Sequence, residues 1–227
     1  MPKNKVIGSF EEAVADIPDG ASVMFGGFAD CGIPRNLIGA LVKKGARNLT
    51  IISNSMGYPE HDTPAVGHLI KAGQVKKGIV SFTLMPNRSF PELERRYAAG
   101  EIEIELVPQG TLAERIRAGG AGIGGFLTRT GVGTVAAKGK ETMVLNDKEY
   151  ILEMPLTADY AFIKAFKADT MGNLVYRRTT RNYNPIMATA ARITIAEVEE
   201  IVQPGEMDPE IIGTPCIYVD RVIAQRS

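Results

Sequence analysis

Apolar residues along this chain fall into short unbroken runs separated by stretches of helical periodicity. "SVMF" (22–25) and "LTIIS" (49–53) carry almost no polar side chain, as strands do when both faces of a sheet are covered. Between them "RNLIGALVKKG" (35–45) has apolar residues at i, i+3, i+4 spacing and closes on Gly45, a helix with a glycine stop. An earlier helix opens at "SFEEAVADI", where Ser9 and Glu12 have capping-box spacing, and a turn follows at Pro18, Asp19 and Gly20. A helix over 64–73, a strand "GIVSF" (78–82), a helix around "FPELERRYAAG" and a strand "IEIELV" (102–107) continue the alternation. From about Lys138 strand-like runs "ETMVLN", "EYILEM" and "YAFIKAFKA" follow one another, and predict an antiparallel or mixed region that completes the sheet. "NPIMATAAR" (184–192) reads as one more helix before the strand "ITIAEVEEIV". The order predicts an α/β fold, an open mainly parallel sheet with helices on both faces, in a single domain over residues 1–227 with no linker or repeat.

Composition narrows the partners. With 44% apolar and 23% charged residues in 227, the chain reads as an ordinary globular protein. Lys plus Arg and Asp plus Glu balance at 26 each, so no net field favours nucleic acid or an anionic membrane surface. No apolar stretch approaches the roughly 20 residues of a membrane span. The amino terminus shows no signal core, so a cytoplasmic location is expected. Cys31 and Cys216 stand far apart, outside any CxxC spacing, and indicate neither a disulfide framework nor a zinc site.

The candidate chemistry gathers at "DGASVMFGGFADCGIP" (19–34), where Gly26-Gly27 ends an apolar strand and a helix starts near Pro34. Ligands of open parallel sheets bind at the carboxyl ends of strands. Glycines there free φ and let a ligand lie against the backbone, while N–H groups at the helix start favour an anion. The same glycines also suit a tight strand-to-helix turn, and the spacing is neither GxGxxG nor a P-loop. A second cluster, "AGGAGIGGFLTRTGVGT" (118–134), reads either as a closely packed connection or as backbone that orders around a ligand. Cys31 has no base beside it and fits the commoner role of a small buried residue. His61 and His68, interrupted by Pro64, make a poor metal pair, and no GxSxG elbow is present. The residues alone describe a ligand-binding edge without a complete catalytic set.

Several separate segments resemble family I coenzyme A transferases. "DGASVMFGGFADCGIP" is similar to the family signature of Asp-Gly, two spacers, three apolar residues, Gly-Gly-Phe, three spacers and Gly-x-Pro. "LTIISNSMG" resembles its strand ending in Ser-Asn-Asn, and "VPQGTLAERIRAGGAGIGGFLTRTGVGT" its Pro-Gln-Gly-x-Leu-Ala-Glu-Arg segment. "YILEMPLTADYAFIKAFKADTMGNLVYRRTTRNYNPIMA" resembles its carboxyl-terminal part, so the likeness spans nearly the whole chain.

The resemblance implies the fold of the CoA-transferases, shared broadly with sugar-phosphate isomerases and deaminases. It implies the A (alpha) half of a ping-pong enzyme that moves coenzyme A from an acyl-CoA, such as succinyl-CoA or acetyl-CoA, to a 3-oxoacid or short carboxylate. The nucleophilic glutamate belongs to a B (beta) subunit, and its Ser-Glu-Asn-Gly-like motif does not occur here, so activity is expected only in a complex, as A2B2. Coenzyme A is a substrate, with no tightly bound cofactor and no metal. Gly26, Gly27, Phe28, Ala29, Asp30, Cys31 and Gly32 carry the coenzyme A-binding role, and Asn54 and Gln109 would support the partner's glutamate with amide donors. Ser55 stands where the family usually has a second asparagine, and "SFTLMPNRSF" (81–90) replaces its usual stretch. Acetoacetate, 3-oxoadipate and butyrate are all served within the family, and these residues do not choose among them. Two alternatives stay open: the alpha half of a 3-oxoadipate CoA-transferase, and a non-catalytic coenzyme A-binding module.

Overall fold

β1 (Ser22–Phe25) is the strand around which the sheet is organised in this computed structural model, which describes residues 4–57, 63–83 and 89–225. On one side of it lie β2 (Leu49–Ser55), β3 (Val75–Phe82) and β4 (Glu103–Leu106). On the other lie β8 (Ala158–Asp169), β10 (Ala191–Val202) and β11 (Arg221–Ala224), and every neighbouring pair along this path is parallel. A short strand β9 (Leu174–Val175) adds to β8 antiparallel. The chain therefore leaves β1 in one direction and returns to its other flank much later, so the carboxyl end of β1 is a topological switch point.

Helices cover both faces, as the covered apolar strands require. α1 (Phe10–Val14), α2 (Arg35–Lys44), α3 (Val66–Lys71) and α4 (Pro91–Ala98) pack on one face around Val23, Phe25, Ile51 and Phe162. α5 (Gln109–Gly120) and α6 (Asn184–Thr189) pack on the other around Met24, Ile52, Ile79 and Ala161. Ser9 caps α1 through its hydroxyl, which accepts from Glu12 N at 3.0 Å, while the Glu12 carboxylate reaches Gly8 N rather than the cap itself. Gly45 ends α2 in the left-handed region at φ 77°, where a glycine carries no Cβ penalty.

The late strands depart from the expectation. β6 (Thr142–Leu145) and β7 (Lys148–Glu153) do not complete the main sheet: with β5 (Phe126–Thr128) they form a separate three-stranded antiparallel sheet. The third run, β8, instead enters the centre of the main sheet parallel to β1, with both faces covered and most of its residues buried, Lys164 and Asp169 among them. Within the second glycine cluster, Gly119 and Gly120 are packing glycines at the end of α5. A Cβ would lie 2.3 Å from Leu156 O at the first and 2.1 Å from Thr189 Oγ1 at the second. No helix among the described residues is long and apolar enough to cross a membrane.

At the amino end of the central pair, Asp159 clasps β1 to β8. Its carboxylate accepts from Ser22 N at 2.9 Å and Ser22 Oγ at 2.7 Å. These bonds, the backbone one foremost, hold the Asp159 carboxyl below the usual carboxylate range. A carboxylate depressed in the folded state stabilises the protein above its unfolded pKa, and that contribution is lost as pH falls through the folded value. The stability difference between wild type and Asp159→Ala should accordingly be full near neutrality and shrink below about pH 4, as urea titrations across pH would register.

Candidate active site

At the switch point β1 gives way to Gly26, whose N–H donates to Phe162 O at 2.9 Å. A Cβ at Gly26 would lie 1.8 Å from Asn184 Oδ1, so the bare backbone is required by a side chain of the protein itself. Asn184 opens α6 and is fully buried. Its Oδ1 accepts from Lys164 N at 2.8 Å, and its Nδ2 donates to Gly32 O at 3.0 Å and Thr180 O at 3.1 Å. Phe28 and Cys31 then exchange two backbone hydrogen bonds of 2.9 Å, closing a turn in which Ala29 takes a φ of 48°. A non-glycine residue held in the left-handed region stores strain of the kind found at ligand sites.

Two concavities border this turn. A narrow cleft of about 20 Å³, room for a water-sized group, is lined by Gly26, Gly27, Ala29, Asn54, Ser55 and Val66 among others. A wider groove of about 230 Å³ is lined by Phe28, Gln109, Ala113, Asn182, Tyr183 and Ile186 with Gly110. The structure thus brings Gly26, Gly27, Ala29 and Asn54 to one cleft, and Phe28 and Gln109 to its neighbour. Asp30, Cys31 and Gly32 line neither. The Asp30 carboxylate pairs with Arg35 at 2.8 Å, Gly32 lies against Asn182 and Thr180, and Cys31 is exposed rather than buried, because the turn lifts it off the sheet.

Strand register sets the polar groups. Ser53 pairs with Phe25 on one side and Val80 on the other, so Asn54 follows at the carboxyl edge between Gly26 and Ser81. Asn54 is 3% exposed. Its Oδ1 accepts from Gln109 Nε2 at 2.7 Å and Ser81 Oγ at 3.0 Å, whereas its Nδ2 is buried with no hydrogen-bond partner. An unsatisfied buried donor costs about 1–3 kcal/mol, and an anionic oxygen in the cleft would remove that cost. Gln109, the first residue of α5, is held through its backbone carbonyl, which accepts from Tyr183 OH at 3.0 Å. Burial pushes the Tyr183 phenol up to about 12, so it stays a donor at any physiological pH.

The start of α2, expected to offer N–H groups to an anion, is already occupied. Asn36 N and Leu37 N donate to the Glu197 Oε2 carboxylate oxygen of β10 at 2.9 and 3.1 Å. Glu197 is completely buried and lies 3.8 Å from the Lys164 ammonium, which has no hydrogen-bond partner and is held below its usual pKa by desolvation. Asn184, Tyr183, Ser81 and Glu197 all escaped the sequence reading. Only Asn184, an Asn-Pro pair opening a helix, carried a local signal. His68 Nδ1 accepts from Ala65 N at 3.1 Å at the start of α3, and His61 lies outside the described residues, as does part of the 81–90 stretch. Among the described residues no cluster of His, Cys, Asp and Glu is placed to hold a metal, and no carboxylate lines the cleft or the groove.

The family model for coenzyme A transferase matches residues 7–225. The alpha half of the probable succinyl-CoA:3-ketoacid coenzyme A transferase of Bacillus subtilis is 52% identical over 219 residues, covering 96% of this chain and 89% of the relative. The corresponding half of the 3-oxoadipate CoA-transferase of Pseudomonas putida is 51% identical, covering 97% of this chain and 94% of the relative. Among solved structures, an acyl-CoA transferase apoenzyme of Escherichia coli O157:H7 superposes with a TM-score of 0.84 at 23% identity, a likeness of fold. It covers 98% of this chain and 47% of that one, so the present chain spans about half the length of that protein.

The contact at Gly26 can be tested directly. Gly26→Ala should destabilise the chain by about 3 kcal/mol, since the new methyl and Asn184 cannot share one space. Gly124→Ala, where nothing lies within 4 Å of a built Cβ, should change stability by less than about 0.5 kcal/mol. Denaturant titrations of the two variants separate them.

Proposed function

The chain belongs to the coenzyme A transferase family, and from that premise we propose that it is the alpha half of a two-chain enzyme that passes coenzyme A from an acyl-CoA to a 3-oxo carboxylate. The relatives named for 3-ketoacids and for 3-oxoadipate are about equally similar, at 52% and 51% identity. A 3-oxo carboxylate is the chemistry those names share, and it is the acceptor class proposed here.

The observation that carries the reading is the buried, unpartnered Nδ2 of Asn54, a residue that lines the cleft beside Gly26 and Gly27. A carboxylate from the beta half attacks the thioester carbonyl and expels the coenzyme A thiolate, leaving an acyl-glutamyl anhydride. The thiolate then attacks the glutamyl carbonyl of the anhydride, releasing the first carboxylate and leaving a glutamyl-CoA thioester. The acceptor acid repeats the two steps in reverse. Each attack places negative charge on a carbonyl oxygen, and a fixed amide donor lowers the barrier because it needs no reorganisation as the charge develops. Asn54 supplies that donor, and Gln109 holds Asn54 and faces the substrate groove. Gly26, Gly27, Phe28 and Ala29 form the wall against which coenzyme A lies, and Asp30, Cys31 and Gly32 complete the turn that holds it. The beta half closes the cleft and excludes water, in an A2B2 assembly.

This division of labour makes the isolated chain inactive. Co-expression with a beta half should give a heterotetramer by mass measurement and transferase activity in an acyl-CoA exchange assay, whereas full activity from the alpha half alone would refute the reading. In the complex, Gln109→Ala should lower turnover about a hundredfold, with KM for acyl-CoA within a few-fold of wild type. Turnover near wild type with a lowered melting temperature would leave Gln109 a structural residue.

A further inference from the structure

The Ser81 hydroxyl lies outside the cleft yet clasps both ends of Asn54. Its Oγ is 2.6 Å from the Asn54 backbone O and 3.0 Å from Oδ1, so its one hydrogen is shared between the two oxygens. The parallel register of β2 and β3, Ser53 against Val80 and Ser55 against Phe82, puts the two residues side by side at the carboxyl edge. Ser81 and Asn54 both follow residues of the α5 side of the sheet, Ile79 and Ile52, by two positions, so they share that face. Gln109 Nε2 reaches the same Oδ1 at 2.7 Å from α5.

We propose that Ser81 is a positioning residue for the transferase reaction, fixing which end of the Asn54 amide is presented to the reacting oxygen. A primary amide can turn by half a revolution about its last bond, exchanging donor for acceptor in nearly the same space. With the Gln109 amide and the shared Ser81 hydrogen directed at Oδ1, the turned state sets the Nδ2 hydrogens against the Gln109 amide hydrogens and exposes a carbonyl oxygen where negative charge develops. Gln109 alone provides one hold on the orientation; Ser81 provides the second, from a strand rather than from a helix start. Because the same hydrogen is shared with the Asn54 backbone O, the hydroxyl also ties the strand end from β3. The Asn54 Nδ2 remains the free donor because the opposite oxygen is engaged twice.

The proposal rests on the role of Asn54 given above, and a double-mutant cycle in the assembled two-chain complex separates the two. Ser81→Ala should lower kcat about tenfold while KM for acyl-CoA stays within about twofold, and Ser81→Thr, which keeps the hydroxyl on a residue suited to strands, should restore most of it. In an Asn54→Ala background, Ser81→Ala should cost nothing further, because the group it orients is gone. Three results overturn the inference. Ser81→Ala with unchanged kcat shows that the hydroxyl does not orient Asn54. An equal loss in both backgrounds, or a loss that Ser81→Thr does not recover, assigns Ser81 to packing. Asn54→Ala with unchanged kcat removes the role of Asn54 itself, and the inference with it.

Discussion

The site is held together by one buried amide. Asn184 occupies the volume that any side chain at position 26, just past the end of β1, would need, and its hydrogen bonds tie together the turn at Gly32, the segment at Thr180 and Asn182, and the backbone of β8. These pieces come from opposite ends of the chain and meet only at the switch point of the sheet. A fully buried asparagine is tolerable because both its oxygen and its nitrogen find partners. Lys164 N, Gly32 O and Thr180 O are backbone partners whose positions are thereby dictated, and β8, the glycine turn and α6 are accordingly constrained by one another.

Beside this satisfied amide stands one that is incomplete. Asn54 has its oxygen bonded twice and its nitrogen not at all, and the groups that hold it are mounted on β3 and α5 rather than on loops. Buried polar chains of this kind are stiff when satisfied and costly when not, which makes a single open donor a strong preference for an incoming acceptor. In the proposed reading this donor receives negative charge and a partner supplies the attacking carboxylate. The same physics appears at α2, where Glu197 fills the helix start with a charge from the sheet. Breaking such a buried charge contact is expensive even when forming it contributes little net stability. The glycine turn therefore runs into a helix that is anchored from below, and the anion-binding capacity of that helix is taken up by the structure itself.

Much of this was legible in the residues. The alternation of apolar strands with amphipathic helices specified a mainly parallel sheet covered on both faces, because period and length depend only on local sequence. Gly45 marked its helix stop, and the Gly26-Gly27 pair marked the edge where the groups gather. What local sequence could not determine was partnership. β6, β7 and β8 have similar strand patterns, yet two joined a separate antiparallel sheet and the third entered the centre of the main one, since a strand's period does not say which neighbour will cover it. The purpose of Gly26 was likewise undecided between ligand and turn until tertiary structure brought Asn184 against it from far along the chain. Ser81, Asn54 and Gln109 stand on three elements, and only strand register and the docking of α5 made them one hydrogen-bonded group. Sequence alone thus determined most main-sheet strands and their helices, through short-range sterics and burial. However, β5, β9 and β11 had no expected counterpart, β3 starts at Val75 rather than at 78, and β10 takes Ala191 and Arg192 from the expected helix. The tertiary structure decided which polar atoms are satisfied and which is left open, because that depends on contacts between residues far apart in the chain.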